Sequence, residues 1–427
     1  MIKISLNIAL NNLWYNQITQ IMKELKLSKT FIALRHPNFR LWFIGQVISL
    51  IGTWMQATAQ GYLVYELTNS SAYLGAVAFA NGLPTLFFST FGGLIADRIS
   101  KRKMIIITQS SMMVLAFILA ILSFTGWVQA WHIIILAFLL GIANAFDAPA
   151  RQAFIVEMVS REDLANAIAL NSTIFNLGTL VGPSAAGLIY AWLGPSWCFT
   201  INGISFIGVI GALLLMKLQS EPVVSVSRSA LKNLKEGFQF VLKEPRIRLI
   251  LVYVGLVSIF GFSLLTLVPA WAVKILGGDV RTNGWLLSAR GAGSLVGALM
   301  VAYVGSKATR HRIWQFGWYL MPVALVGFGL LRWVPGSLLV LAVMGWGLMT
   351  VLNISNALIQ SYVPDHLRGR VMSVYVLVFM GTSPIGSLLA GSVAAKFGEP
   401  SMVFLSAGVM TLAALGTLFF RKTIKTF

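Results

Sequence analysis

Long apolar stretches alternate with short polar connections along most of the chain. Two of them, residues 104–125 and 199–216, approach or exceed the ~18–20 residues that cross a bilayer core of roughly 30 Å. They show no two-residue alternation, and backbone inside a bilayer must be hydrogen bonded within helices or closed barrels, so the pattern predicts spanning helices. Twelve spans are predicted, at 40–66, 72–96, 104–125, 131–150, 165–191, 196–217, 247–273, 283–305, 312–332, 336–361, 371–396 and 401–420.

The longest connection, between the sixth and seventh spans, has a different pattern. Its apolar positions recur at helical spacing with lysines between them: Leu231, Leu234, Phe238 and Val241. This pattern predicts a cytoplasmic amphipathic helix on the membrane surface. The connection divides the chain into an N-terminal cytoplasmic segment (1–38), a six-helix bundle (39–218), the linker (219–246) and a second six-helix bundle with a short tail (247–427).

The two halves resemble each other around the fifth and eleventh spans. In residues 180–206 and 383–411 a Gly- and Pro-rich helix meets a Gly-Pro-Ser or Gly-Glu-Pro-Ser break, and a Phe-bearing span follows. Convergent packing of small residues could produce part of this likeness, but the shared break favours internal duplication. The predicted fold class is therefore an all-α membrane protein of two pseudo-symmetric six-helix bundles, an architecture of secondary transporters.

Composition agrees with a membrane protein. Charged residues make up 11% of the chain, against roughly a quarter in soluble proteins. Of the 32 Lys and Arg, 27 fall in alternate connections or the termini. This bias predicts that both termini are cytoplasmic, and it explains the net charge of +19 without a nucleic-acid partner.

Motifs for catalysis, metals and nucleotides are absent from the sequence. Cys198 is the single cysteine, which excludes an internal disulfide and a cysteine cluster. The sequence contains no Gly-x-x-x-x-Gly-Lys-Ser/Thr loop, no His-Glu-x-x-His and no Gly-x-Ser-x-Gly. We expect no enzyme activity and no cofactor, so any energy would come from an ion gradient, with protons as the candidate.

A carboxylate precedes a cluster of cations after the second span: Asp97 is followed by Arg98, Lys101, Arg102 and Lys103. A topological signal would need the cations but has no use for Asp97. A gate would use it, because Asp97 could accept hydrogen bonds from a helix N-terminus while Gly93 allows close approach. Under the gate interpretation, Asp97→Asn impairs transport without affecting insertion.

This loop resembles the signature loop of the major facilitator superfamily. The matching positions are Gly93, Asp97, Arg98, Lys101 and Arg102. Ser100 replaces the usual glycine. The fifth span resembles the antiporter motif of exporters in that superfamily, with Gly178, Gly182 and Pro183 matching and Ala186 in place of a glycine.

A third stretch, Phe146-Asp147-Ala148-Pro149-Ala150-Arg151-Gln152, is similar to the branch containing bacterial enterobactin exporters, and the resemblance covers about residues 36–420. Thr179 or Leu180 stands where many members have arginine. The resemblance implies a monomeric multi-pass transporter of the bacterial inner (plasma) membrane, surrounded by lipid. It would export a small amphiphilic substrate, siderophore or drug-like, by alternating access. A non-transporting sensor or scaffold, an importer and a lipid flippase remain alternatives.

Polar residues inside the spans indicate a path. One face of the first span carries the polar residues Gln46, Ser49, Thr53, Gln56 and Gln60. One face of the tenth span carries Asn353, Asn356 and Gln360, and the single amides Asn81 and Asn171 lie in the second and fifth spans. Amides avoid lipid because an unpaired amide there costs a few kcal/mol. They therefore face either a wet cavity or other helices as hydrogen-bonding contacts; the length of the first stripe favours a cavity that binds substrate.

Charges inside the spans are few. Arg290 lies six residues into the eighth span, where it would either contact an anionic substrate group or cap a neighbouring carbonyl. Asp147 is a candidate for proton coupling. Arg151 follows it at i+4, so a structural ion pair is the alternative.

Overall fold

The computed structural model describes residues 29–96, 100–217, 230–304 and 307–419. Within them a 3₁₀ helix, Lys29–Arg35, precedes thirteen α-helices. The first six are α1 (Pro37–Thr68), α2 (Ser71–Ala96), α3 (Lys101–Phe124), α4 (Ala130–Ile155), α5 (Leu164–Leu193) and α6 (Pro195–Leu215). The others are α7 (Ala230–Lys243), α8 (Pro245–Ile275), α9 (Val280–Tyr303), α10 (Lys307–Leu330), α11 (Val334–Tyr362), α12 (Asp365–Phe397) and α13 (Glu399–Phe419).

Eleven helices in the described part are long and apolar enough to span a membrane. They are all the long helices except α1, which has 32 residues but carries the polar stripe that lowers its mean hydropathy. Since α1 packs among α2, α5 and α6, we count it as the remaining spanning helix of an all-α fold.

The helix pairings repeat between the two halves. In the first half α1 packs on α5, α2 on α4, and α3 on both α4 and α6. In the second half the corresponding pairs are α8 on α12, α9 on α11, and α10 on both α11 and α13. The bundles meet along two helix pairs, α2–α12 and α5–α9. Because α2 corresponds to α9 and α5 to α12, the two pairs are equivalent by the same symmetry. The arrangement has approximate two-fold symmetry.

The two ends of the molecule are named here by their residues. The terminal face contains the start of α1 at Pro37, and the distal face contains the end of α1 at Thr68. At the distal face the α5–α6 and α12–α13 connections have the same backbone geometry, because Gly194 and Gly398 both have φ +89°. A side chain would be strained there, so the repeated glycines are required by the turns.

Helices α4 and α12 extend beyond the predicted spans at the terminal face. Helix α4 continues through Pro149 to Ile155 instead of ending at 150, and α12 begins at Asp365 instead of 371. The predictions ended where charged residues appear. A helix does not end where it leaves the apolar layer, because its backbone hydrogen bonds continue.

The amphipathic helix of the linker is α7. Val241 is buried and Phe238 is exposed. Gly237 lies against the backbone of Arg370 in α12, and Arg370 pairs with Glu236 at 2.5 Å. One side of α7 therefore packs on the terminal end of α12. The preceding linker residues, 218–229, lie outside the described part of the chain.

Helix α8 of the second bundle is irregular where it faces the first bundle. A π segment at Ser258–Phe262 and a 3₁₀ segment at Ser263–Leu267 interrupt its α-helical pattern. Such segments change the direction of side chains relative to a regular helix and often occur at functional sites. Leu265 and Thr266 belong to the irregular part and face a cavity between the bundles.

Candidate functional site: a cavity between the bundles

A cavity of about 610 Å³ lies between the two bundles. Its walls come from α1, α2, α3, α4 and α6 on one side and α8, α9 and α12 on the other. The amide and hydroxyl residues of the wall are Thr53, Thr58, Gln56, Gln60, Asn81, Thr85, Asn144, Asn202, Thr266, Ser383 and Ser387. The rest of the described lining is apolar, glycine or proline, and none of it is charged.

Gln56 and Asn202 join α1 to α6 at the cavity wall. The Asn202 amide donates to Gln56 Oε1 at 2.7 Å, and Ser205 donates to Asn202 Oδ1 at 3.2 Å. Both amides are buried. A fixed network of this kind holds the amide groups in defined positions beside the cavity.

Polar groups also lie on the α2 and α8–α12 sides. The Asn81 amide donates to the carbonyl oxygen of Ala137 at 3.2 Å. On the opposite wall, the Thr266 hydroxyl donates to the Ser387 hydroxyl at 3.1 Å. The cavity therefore presents hydrogen-bonding groups from both bundles.

The polar stripe of α1 divides at its middle. Thr53, Gln56 and Gln60 line the cavity. Gln46 does not: it is buried nearer the terminal face, where Gln46 Oε1 accepts a hydrogen bond from Arg151 Nη1 at 3.3 Å. Ser49 is buried and also lies off the cavity. At 1.5 Å per residue the stripe is about 20 Å long, so its terminal part extends beyond the cavity.

The amides expected from α11 are not at the cavity. Asn353, Asn356 and Gln360 are absent from its walls, and Gln360 donates to Asn356 Oδ1 at 2.5 Å. They lie in the terminal third of α11, past the depth of the cavity, and Gln360 is exposed. Asn171, near the terminal end of α5, is likewise away from it. Helical spacing predicted which face these residues share but did not predict their depth.

Asp147 is completely buried in a polar network between α3 and α4. Its Oδ1 accepts hydrogen bonds from Thr108 at 2.7 Å and Gln109 at 3.1 Å, and its Oδ2 pairs with Arg151 Nε at 2.6 Å. The i, i+4 ion pair is thus formed. Because Arg151 also contacts Gln46, the network connects α1, α3 and α4.

The signature-like loop is only partly described. Asp97 and Arg98 lie outside the described residues, and Gly93 belongs to the last turns of α2. Lys101 pairs with Glu157 at 2.5 Å and Arg102 donates to the carbonyl oxygen of Leu214 at 3.0 Å, contacts that stay within the first bundle. The gate interpretation of Asp97 remains a prediction.

The glycines of the α5 motif bring α5 close to α1. A Cβ at Gly178 would lie 2.8 Å from Trp54 Cδ1, and one at Gly182 would lie 2.5 Å from Trp54 Cβ. On its other side α5 meets α9, where a Cβ at Gly284 would clash with the Pro183 carbonyl oxygen. The motif therefore forms a groove for Trp54 and a close contact between the bundles.

Arg290 faces the interior without an ion pair among the described residues. It is 6% exposed, its Nε has no partner, and its Cζ lies 5.9 Å from the centroid of the Trp54 ring. Arginine at a bilayer centre costs ~2.5–3.5 kcal/mol, and a cation–π contact offsets ~0.5–2 kcal/mol of it. Arg290 is not part of the cavity wall, whereas Trp54 is.

Sequence reasoning missed the contacts that close the distal face. The Ser71 hydroxyl donates to Glu399 Oε1 at 2.7 Å, and Lys274 Nζ donates to the same oxygen at 3.0 Å. Lys274 also lies 5.7 Å from the Tyr65 ring. In the sequence, Lys274 is a cation outside the basic loops and Glu399 is the acid of the repeated break. No periodic pattern relates the two positions, so their contact could not be predicted.

These features define a class of protein. Two pseudo-symmetric bundles of spanning helices, closed at one face around a central cavity, form a membrane transporter of the major facilitator type. The family model described as "Transmembrane secretion effector" matches residues 28–426. The chain belongs to this family, in the efflux branch of the superfamily.

Relatives cover nearly the whole chain. The Staphyloferrin A transporter of Staphylococcus aureus is 26% identical over 385 residues, which span 89% of this chain and 95% of that protein. The multidrug efflux pump Tap of Mycolicibacterium fortuitum is 27% identical, covering 84% and 91%. The enterobactin exporter EntS of Escherichia coli O9:H4 is 25% identical, covering 94% and 96%.

Solved structures share the fold. A bacterial homologue of the human lysosomal transporter Spinster, in an inward-facing and unoccupied conformation, aligns with a TM-score of 0.72 at 12% identity, covering 92% of this chain and 98% of that one. The nucleoside transporter NupG aligns with a TM-score of 0.71 at 14% identity, covering 90% and 99%. The relatives and neighbours are transporters and not enzymes.

Proposed function

We propose that this protein exports a small amphiphilic molecule, siderophore or drug-like, from the bacterial cytoplasm by alternating access. The observation that carries the proposal is the cavity of about 610 Å³ between the bundles. Its volume suits a drug-sized ligand, and its walls come from both bundles, so rocking of one bundle against the other would change the access to a bound molecule.

The closed face supports loading from the cytoplasm. Close contacts between the bundles lie in the distal half: Gly75 against Gly391, and Gly187 against Val280. The Ser71–Glu399–Lys274 cluster adds polar contacts at the same end. The positive-inside bias assigns the terminal face, and with it both chain termini, to the cytoplasm. In this state we infer that the cavity is reached from the cytoplasmic side of the inner membrane.

The lining indicates the chemistry of the substrate. Apolar side chains such as Val77, Phe206 and Phe379 alternate with amides and hydroxyls around the cavity. An apolar body with several hydrogen-bonding groups would satisfy both kinds of wall. The names of relatives, which include transporters of staphyloferrin A and enterobactin as well as drugs, support this class.

We propose that an ion gradient, with protons as the ion, drives export, and that the protein works as a monomer without a cofactor. Asp147 supports proton coupling because it is a fully buried carboxylate in contact with α1 through Arg151 and Gln46. Protonation of Asp147 would release Arg151 and loosen α1, the helix that carries the amides of the cavity.

A comparison of metabolites tests the proposal. A deletion strain and its parent are grown under iron limitation and in rich medium, and intracellular and secreted compounds are compared. We expect a compound that accumulates inside the deletion strain and is missing outside, and we expect the wild-type gene to reverse both changes. A strain that carries Gln56→Leu should shift toward the deletion profile, and a strain that carries Gln360→Leu is the matched control that should resemble the parent. Identical profiles under both conditions would contradict export.

A further inference from the structure

We propose that Arg290 and Asn283 form a concealed subsite for an anionic group of the substrate, covered by Trp54. The proposal rests on the proposed function, since it adds a substrate class to the same cavity. It concerns the seam between α1 and α9, where the wall of the cavity contains Trp54 and Leu287.

One face of α9 points to the centre of the molecule. Asn283, Leu287 and Arg290 are spaced at i, i+4 and i+7, which puts them on one side of the helix. The opposite side is exposed at Trp285 and Val296, as expected for the lipid-facing surface. Arg290 therefore does not extend into lipid.

The facing helix has matching positions. Trp54, Ala57 and Gly61 of α1 line the cavity, and they have spacings of three and four residues. Helix α1 runs from the terminal to the distal face and α9 runs in the opposite direction. With Arg290 beside Trp54, antiparallel packing puts Asn283 near the level of Gly61. The seam borders the cavity along about two helical turns.

Both polar side chains of the seam are unsatisfied. Asn283 is 0% exposed, and neither its Nδ2 nor its Oδ1 has a hydrogen-bond partner. Arg290 Nε is also without a partner, and no described acidic residue pairs with the guanidinium. Buried charges are normally paired and buried amides hydrogen bonded. Two unsatisfied donors on the edge of a cavity fit a carboxylate or similar anion.

Trp54 determines access to this subsite. Its ring packs edge-on against Phe175 at 5.6 Å between centroids, in the groove made by Gly178 and Gly182. Its other neighbour is Arg290. An anion that displaces the ring from Arg290 would exchange a cation–π contact for charge-assisted hydrogen bonds, which are stronger.

Binding of a matched ligand pair tests the subsite. The probes are 1-naphthylacetate and its methyl ester, which share the aromatic body and differ in that the ester caps the carboxylate with a methyl group and removes its charge. Calorimetry uses the full chain in phosphatidylcholine nanodiscs. We expect the wild type to bind the carboxylate about tenfold more tightly than the ester. Arg290→Gln should remove this preference, and Arg290→Lys should keep part of it.

Two further variants separate a binding role from a structural one. Arg332 also lies over an indole, with its Cζ 5.7 Å from Trp271, but it is exposed at the end of α10. Arg332→Gln should retain the preference. Trp54→Leu should strengthen carboxylate binding because it removes the competing ring, a result that a purely structural arginine would not give.

The outcomes are distinct. Equal affinities in the wild type, no binding of either probe, or a preference that persists in Arg290→Gln overturns the subsite. Loss of the preference in nanodiscs containing phosphatidylglycerol would mean that an anionic lipid headgroup occupies it, which overturns its assignment to the substrate. The metabolite comparison with the deletion strain tests export separately, so the failure of one proposal does not imply failure of the other.

Discussion

Ser71, the first residue of α2, donates its hydroxyl to Glu399, the first residue of α13, at 2.7 Å. The two residues belong to different bundles, and Lys274 of α8 donates to the same carboxylate oxygen. Glu399 is buried although it lies at the distal end of its helix. Any state that opens the distal face must separate Ser71 from Glu399, whereas Lys274 and Glu399 belong to the same bundle and can stay together.

Glu399→Gln should shift the protein toward the state open at the distal face. The substitution weakens the bond from Ser71, which joins the two bundles, and also removes the ion pair with Lys274 inside the second bundle. Hydrogen bonds to charged groups are worth ~1.5–3 kcal/mol, so the ratio of the states should change about tenfold. The measurement is the distance distribution between spin labels at Trp127 and Trp333, which are exposed on the two bundles.

The matched control for Glu399→Gln is Asp365→Asn. It removes another carboxylate that pairs with a cation, Arg368 at 2.5 Å, but both partners are exposed at the terminal end of α12. Exposed pairs contribute ~0–1 kcal/mol. The distance distribution should not change in the control. An unchanged distribution in Glu399→Gln itself would show that this cluster does not hold the distal face closed.

Gln56→Leu should impair transport much more than Gln360→Leu. Gln56 accepts from Asn202 at the cavity wall, and its loss leaves a buried amide unpaired at a cost of ~1–3 kcal/mol. Gln360 is an exposed amide near the terminal end of α11 that does not reach the cavity. Initial rates in proteoliposomes with matched protein amounts check the prediction. Equal losses in the two variants would argue against the cavity as the binding site.

Gly182→Ala should destabilise the protein, whereas Gly208→Ala should not. The new Cβ at Gly182 would lie 2.5 Å from Trp54 Cβ and 2.9 Å from the Ile51 carbonyl oxygen, and at Gly208 nothing lies within 4 Å. Overpacking of this kind costs ~1–3 kcal/mol, and alanine is the better helix former at an open position. Melting temperatures in detergent compare the stabilities of the two variants with that of the wild type. A Gly182→Ala variant as stable as the wild type would contradict the close α1–α5 contact.

Asp147→Asn should weaken the first bundle because it removes the charge partner of the half-buried Arg151. Because Arg151 still reaches water, the cost should lie below the ~3–5 kcal/mol of breaking a fully buried ion pair. The double variant Asp147→Leu with Arg151→Met should recover much of the stability, since it removes both charges. Proton coupling adds a second expectation: in the double variant, substrate exchange continues while pH-driven accumulation is lost. Normal pH-driven accumulation there would exclude Asp147 as the coupling residue.

Asp163 should make a pH-dependent contribution to stability outside the membrane. The hydrogen bond from His36, together with Arg35, holds the pKa of this carboxyl below its usual value of 3.8. Because the folded-state pKa is the lower one, the stabilisation is present above about pH 4 and disappears as the pH falls through the lowered pKa. The melting temperatures of wild type and Asp163→Asn should differ at pH 7 and converge in acid. A constant difference would contradict the assignment.

Spanning helices were predictable because their signal is local. Continuous apolar runs set the number and type of the elements, and the structure places helices at each of them, including the polar α1. The ends at Ile155 and Asp365 were not predictable from hydropathy, since helical hydrogen bonding continues into water. Gly194 and Gly398, whose φ angles are positive, were visible in the sequence as a repeated break. Each of these glycines follows the last residue of a helix.

The cavity was predictable along α1 and, through the single amide Asn81, at one position of α2. The spacing of Thr53, Gln56 and Gln60 indicated a shared face, which is a property of the helix itself. Asn202 is a single amide in an apolar span, and its pairing with Gln56 depends on the packing of α6 against α1. The depth of Asn353 relative to the cavity likewise depends on the tertiary arrangement. A sequence pattern gives an angle around a helix but no distance between helices.

The central claim is that one cavity opens alternately to the two faces. A cysteine at Thr53, with Cys198→Ser to remove the native thiol, places a reporter on the cavity wall. A membrane-impermeant maleimide is added from either side of oriented vesicles. We predict alkylation from the terminal side in the otherwise unchanged protein and from the distal side after Glu399→Gln. Alkylation from the terminal side alone in both proteins, or from neither side, would contradict the account.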